Sequence, residues 1–324
     1  MKEKIKVKFN KISACTTLGI LFCVNCIPAF ANGMEKNLDV QTSAPIQIEN
    51  GTVTLLNASN NMAELSVDHR GESIKFAPHY SVSDIKQISA NEYEYEDSKG
   101  LYDFSVQAVE DGLVSDVRLI NKNAKPDYPV IIDLPDGWSV DLYKDEYGET
   151  VDGSLVVYDD KKNVVAATTC PVATDATGRI IDNYFQFNGN KLYQVVDTEN
   201  AKYPVEISYK MVLADATLGF EDYFSYGKFI KRTDASSGSY TSLSLGERKF
   251  DINVAYTVDK AWDTVVRKFY AVDSNWTSNR SGMKDQYMCH RNFAPNKVPW
   301  NLEPTRPDVG YAKTVAARCN PGNP

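Results

Sequence analysis

From Gly51 to Leu213 apolar and polar residues alternate in short runs: GTVTLLN, DGLVSDVRLI, PVIIDLPDGWSVDLY, GSLVVYDDKKNVVAATT, YFQFNGNKLYQVVD and YPVEISYKMVL. Successive side chains of a strand point to opposite faces, so a period of two marks half-buried strands. Between the runs, Asp111-Gly112, Pro135-Asp136-Gly137, Asp160 to Asn163 and Asn188-Gly189-Asn190 accept positive φ or fix a tight bend. Alternation at such close turn spacing predicts a mainly β domain over 45–215, an antiparallel sandwich or curved sheet. Its many tyrosines read as half-buried strand positions. No helix is expected before about residue 258.

Near Asp259 the period changes. In DKAWDTVVRKFYAV, residues Ala261, Trp262, Val265, Val266 and Phe269 fall at helical spacing with Asp259 as N-cap. A second helix is predicted from about Ser281 to Arg291, and a third from Asp308 to Arg318 with Val309, Ala312, Val315 and Ala316 on one face. Between them, prolines at 295, 299, 304 and 307 forbid continuous helix and stiffen an extended loop. With EDYFSYGKFIKRTD and SYTSLSLGERKFDINVAY read as strands, residues 216–324 are expected to form a small α+β domain with about three helices.

The N-terminus changes the compartment. MKEKIKVKFNK is basic, ISACTTLGILFCVNCIP is apolar and short of the ~20 residues that span a bilayer, and AFA precedes Asn32. We read 1–31 as a signal peptide cleaved after Ala31, 32–44 as a polar leader, and the product as secreted, extracellular and without a transmembrane segment. Residues 32–215 hold 15 basic and 31 acidic side chains, a net of −16, against 15 and 11, a net of +4, for 216–324. An anionic surface would meet the tail end and be repelled by the front; nucleic acid is not an expected partner. Three cysteines follow the leader, and in an oxidising exterior an odd count gives one pair and one spare thiol. Cys289 and Cys319 share the C-terminal module and are expected to pair, leaving Cys170.

The segments FIKR, SLSL, AWDTVVRKF, GMKDQYMCHRNFAPNKVPWNLEPTRPDVG and RCNP, from about Tyr223 onward, resemble a domain of unknown function (DUF2599-like) at the C-terminus of secreted proteins of Gram-positive bacteria. The shared core is GM-DQ-CH, then K-WNLE--RP, then CNP. That resemblance implies structural or recognition roles for Asp285, Gln286, Trp300 and Asn301, and a bacterial exoprotein of modular layout. The stretch from Val164 to Ser208 is similar to a β-rich module that precedes varied C-terminal domains in such proteins. The resemblance supplies no activity.

Chemistry centres on His290, one of three histidines. The disulfide could present it toward the loop carrying Lys297, Glu303 and Arg306. An imidazole, a carboxylate and two cations can do acid–base work on a phosphate or acyl ester. The structural alternative pairs Glu303 with Arg306 at i, i+3 and leaves His290 satisfying backbone. His69 and His79 read as surface residues, and no metal site or cofactor is expected. No phosphate-binding glycine loop, GxSxG, HExxH or LPxTG occurs. The first expectation is a domain that binds an anionic cell-wall polymer or other envelope component. The second is an antibacterial toxin or hydrolase centred on His290, with an immunity protein as its partner.

Overall fold

A computed structural model describes residues 44–322 apart from 49, 57–61, 68–70, 79, 145–147, 149, 189–190, 215–217, 235–237, 270–275 and 277–278. The expected signal peptide, its cleavage point, His69 and His79 lie outside the described residues. The chain divides into two compact units, one drawn from Ala31–Ala216 with Asn253–Tyr256, the other from Thr217–Ile252 with Thr257–Pro324.

The first unit is antiparallel β throughout its described strands. These are β1 (Ile46–Ile48), β2 (Gly51–Leu55), β3 (Ala63–Val67), β4 (Glu72–Pro78), β5 (Val82–Ser89), β6 (Glu92–Asp97), β7 (Tyr102–Val109) and β8 (Gly112–Leu119). They continue as β9 (Asp127–Asp133), β10 (Ser139–Lys144), β11 (Thr150–Tyr158), β12 (Val164–Thr168), β13 (Val172–Asp175), β14 (Asn183–Asn188), β15 (Lys191–Val196) and β16 (Val205–Leu213). One sheet runs β1-β2-β3-β4-β9-β15-β14; the other runs β10-β11-β12-β16-β8-β7-β6-β5, with β13 also on β16. Alternation does what the sequence implies: β2 and β3 bury every second residue. A single apolar core takes Val53, Leu65 and Phe76 from one sheet and Tyr95, Phe104 and Ile207 from the other. The Tyr95 hydroxyl donates to the Leu56 carbonyl at 2.5 Å and lies 3.1 Å from that of Met62, so a buried phenol keeps its polar tip satisfied.

Three of the expected turns divide between two kinds of physics. Gly137 (φ 81°) and Lys162 (φ 66°) do adopt the left-handed conformation that their turns suggest. Gly112 does not; a Cβ there would stand 2.1 Å from the Met211 carbonyl oxygen, so its role is the close approach of β8 to β16.

The second unit contains α1 (Phe220–Tyr223), β17 (Gly227–Asp234), β18 (Gly238–Leu245), α2 (Ala255–Phe269) from Thr257 onward, α3 (Arg280–Phe293), β19 (Trp300–Leu302) and α4 (Tyr311–Ala316). Its sheet is β17-β18-β19, antiparallel. Leu243, Leu245, Trp262, Val265, Tyr287, Trp300 and Leu302 form its core. The mainly β unit, the α+β unit and the Cys289–Cys319 bridge match the fold expected from sequence.

Details differ. A four-residue helix, α1, precedes residue 258, where none was expected. Helix α2 starts at Ala255, so Asp259 is internal and pairs with Lys284 at 3.8 Å instead of capping. Helix α4 is shorter than 308–318 and buries only Thr314; Ala312 and Ala316 of the expected apolar face are exposed. The proline-rich loop also contains a strand, β19, because the edge of β18 offers partners for Trp300 to Leu302.

Candidate functional site

Helix α3 aims Met283, Gln286, Tyr287 and His290 inward, positions that share one face at helical spacing. Two of these four are polar, and each is consumed by the chain segment around β19. His290 is 2% exposed and lies parallel to the Trp300 ring, with centroids 6.0 Å apart. Its Nε2 stands 3.2 Å from the Asn301 carbonyl oxygen. A carbonyl only accepts, so Nε2 carries the proton and the neutral ring leaves Nδ1 as a bare acceptor. Nδ1 is buried without a hydrogen-bond partner among the described residues. Burial, helped by the charges of Lys297 and Arg248, pushes the His290 pKa down to about 4 against the opposing Asn301 bond.

A folded-state pKa of about 4, below the ordinary 6.5, fixes a sign. Between these values the unfolded chain binds a proton that the folded chain refuses, so stability rises with pH across that window. The urea midpoint of the wild type is therefore expected to fall more between about pH 7 and about pH 4.5 than that of His290→Gln. Parallel declines would contradict the burial of a neutral ring.

Gln286 clamps the next residue after β19. Its Oε1 accepts from the Glu303 N–H at 2.8 Å and its Nε2 donates to the Glu303 carbonyl at 3.1 Å, as a neighbouring strand would. The Glu303 carboxylate accepts from Arg306 Nε, and both side chains are nearly sealed, at 7% and 10% exposure. Arg306 also donates to the Gly322 carbonyl at 2.6 Å. Asn279 Nδ2 holds the same loop by donating to the carbonyls of Pro304 and Arg306. Of the sequence candidates, Glu303 and Arg306 are thus brought together with each other.

Lys297 is exposed, and its carbonyl accepts from Arg248. Arg248, itself partly buried, also donates to the Pro295 carbonyl and lies 4.4 Å over the Trp300 ring in a cation–π contact. Trp300 is fully buried, and its Nε1 donates to the Ala294 carbonyl at 3.2 Å. Asp285 is half-buried; burial and the nearby Asp308 push its pKa up to about 6. Cys289 and Cys319 are bridged, with Cα atoms 5.4 Å apart, while Cys170 stands outside any disulfide among the described residues. No group of three or more His, Cys, Asp or Glu side chains converges among the described residues.

Sequence reasoning passed over Arg232, Ser242 and Ser244, although FIKR and SLSL were in view. Asn301 Oδ1 accepts from Arg232 at 2.9 Å and from the Ser244 hydroxyl at 2.7 Å. Asn301 thereby links two groups: its backbone oxygen accepts the hydrogen bond from His290 Nε2–H and its side chain holds the Arg232 guanidinium. The polar side chains lie at alternate positions of β17 and β18, a pattern visible in sequence, but the links to Asn301 span 69 residues from Arg232 and 57 from Ser244.

Residues 232–322 match a family described as "Protein of unknown function (DUF2599)". An uncharacterized protein of Mycobacterium tuberculosis is 39% identical over 70 residues, covering 20% of this chain and 43% of that protein. One from Mycobacterium bovis matches to the same extent. The chain therefore spans less than half the length of these curated relatives. Among solved structures, a beta-arabinopyranosidase aligns with 54% of this chain and 38% of its own at 11% identity and a TM-score of 0.25. A family GH92 alpha-mannosidase from Bacteroides thetaiotaomicron aligns with 53% and 30% at 10% identity and a TM-score of 0.23. Likenesses that slight carry no argument. What the similarity does support is narrower: β18, α2, α3, β19, α4, the disulfide and the surroundings of His290 belong to a C-terminal domain of unknown function.

Proposed function

We propose that the C-terminal unit of an exported chain binds an anionic polymer of the cell envelope. The observation that carries this reading is β17, a strand with one neighbour among the described residues, on which Lys228 and Lys231 are exposed. Residues 216–324 hold an excess of four basic side chains, whereas 32–215 are strongly acidic. A cationic strand edge attracts a polyanion, and the acidic unit confines that attraction to one part of the chain. The engagement of Glu303 by Arg306 and the suppressed basicity of His290 weigh toward binding over acid–base chemistry.

The test is co-sedimentation of residues 32–324 with purified cell walls that retain or lack their anionic polymers. Binding to the intact walls is expected to drop at least tenfold by about 0.5 M salt, where surface charges are screened. Equal binding to stripped walls would contradict it. Export has its own check: protein recovered from the medium of an expressing host is expected to begin at Asn32, and an intact N-terminus would contradict secretion.

A second reading, a hydrolase or toxin centred on His290, is favoured by Nδ1, a lone pair that no donor among the described residues occupies. Lys297, Glu303 and Arg306 would be its companions. Growth arrest of a sensitive host by the exported wild-type chain, abolished in His290→Ala, would support that reading.

A further inference from the structure

The small sheet has two unlike faces. Phe229, Leu243, Leu245, Trp300 and Leu302 turn toward the core, so the alternate positions Lys228, Arg232, Ser242, Ser244 and Asn301 share the other. In register, Arg232 stands opposite Tyr240, Ser242 opposite Ile230, and Ser244 opposite both Lys228 and Asn301. The Arg232 guanidinium nevertheless reaches Ser244 Oγ at 3.4 Å and Asn301 Oδ1 at 2.9 Å. It therefore leans back along β18, across the position of Ser242.

That geometry leaves a specific deficit. Arg232 Nε and Ser242 Oγ are both buried without a hydrogen-bond partner among the described residues, and Ser242 is 0% exposed. Asn301 Oδ1 already accepts from Arg232 and Ser244. No ion pair is formed by Arg232 with a carboxylate of the described residues, and its guanidinium cannot shed its charge. Two donors and a fixed positive charge, with no acceptor assigned to them, are the complement of an oxyanion. Along β17 the Arg232 side chain is partly exposed and Lys228 is exposed, so the same face meets solvent beside these buried donors.

We infer that, within the anionic-polymer reading on which this rests, Arg232 Nε and Ser242 Oγ donate to one oxyanion of that polymer, a phosphate or a carboxylate. Lys228, on the same face, meets the next charge along. Asn301 and Ser244 are positioning residues that hold the guanidinium, and His290 fixes Asn301 from behind through its carbonyl. This role for His290 asks only that Nε2 keep its proton.

The experiment measures melting of residues 32–324 in sodium phosphate and in sodium acetate, each against sodium chloride at equal ionic strength. Wild type is expected to melt higher in at least one oxyanion than in chloride; the salt that acts identifies phosphate or carboxylate as the group recognised. Arg232→Lys keeps the charge but loses the fork, so it should lose that rise and bind walls at least tenfold more weakly. Ser242→Ala removes an unpaired buried hydroxyl, so it should melt higher than wild type in chloride and gain less from the oxyanion. Lys260→Gln, on an exposed position of α2, should retain the wild-type response. An Arg232→Lys variant that responds like wild type would overturn the site, as would a wild type indifferent to both oxyanions. Wall binding that survives Arg232→Lys would sink the site and leave the polymer reading standing. An oxyanion response without wall binding would do the reverse.

Discussion

Glu303→Ala is expected to lower the stability of the C-terminal unit by about 3–5 kcal/mol, the usual penalty for removing one partner of a buried ion pair. The carboxylate and the Arg306 guanidinium are nearly out of solvent, and Gln286 pins the Glu303 backbone so that the loop cannot turn the orphaned cation outward cheaply. An acid–base carboxylate behaves differently: its removal abolishes turnover and leaves the fold nearly as stable. Urea denaturation of Glu303→Ala beside wild type reads the difference. A loss below about 1 kcal/mol would mean that the pair contributes no more than a solvent-exposed one.

Replacing both cysteines, as Cys289→Ser with Cys319→Ser, is expected to cost about 3 kcal/mol. The bridge closes a separation of 30 residues, and the loop entropy it withholds from the unfolded chain has that magnitude. The loop so closed contains β19, Glu303, Arg306 and α4, so the loss should reach oxyanion binding as well as stability. Unfolding of the wild type with and without reductant provides a second route to the same figure. Indifference to both treatments would show that hydrogen bonds and packing alone hold the segment.

The β unit was legible because its signal is local. Tyr93 and Tyr95 are buried at alternate positions of β6, and Lys162 takes the positive φ that its turn suggests. Gly112 was legible as a turn residue for the wrong reason, since what it accommodates is the Met211 carbonyl from 99 residues away. In the C-terminal unit the spacing of Met283, Tyr287 and His290 already placed the imidazole on a core face. Proximity to Cys289 and the loop drew notice instead. Strand β19 has only three residues in a proline-rich stretch, too few for a period to declare itself; it exists because β18 lends it an edge. The Arg232–Asn301 contact joins residues from strands that never neighbour each other in sequence or in the sheet order, and no spacing rule reports it.

The pairing of Glu303 with Arg306 was among the alternatives that the i, i+3 spacing left open. What the sequence could not weigh was desolvation. His290 beside Lys297 in a chain reads as a proton carrier near a cation; enclosed against Trp300, the same neighbours depress its basicity.

The central claim is that His290 is a neutral strut for Asn301. Its most direct test is nitrogen-detected NMR titration of the imidazoles, with His290 assigned by comparison with His290→Gln. From about pH 8 down to about pH 5 the ring should remain the Nε2–H tautomer with an unprotonated Nδ1, and it should take up a second proton only near pH 4. A midpoint between about pH 6 and 7, or a proton on Nδ1 in the neutral form, would contradict it and return His290 to the candidates for acid–base chemistry.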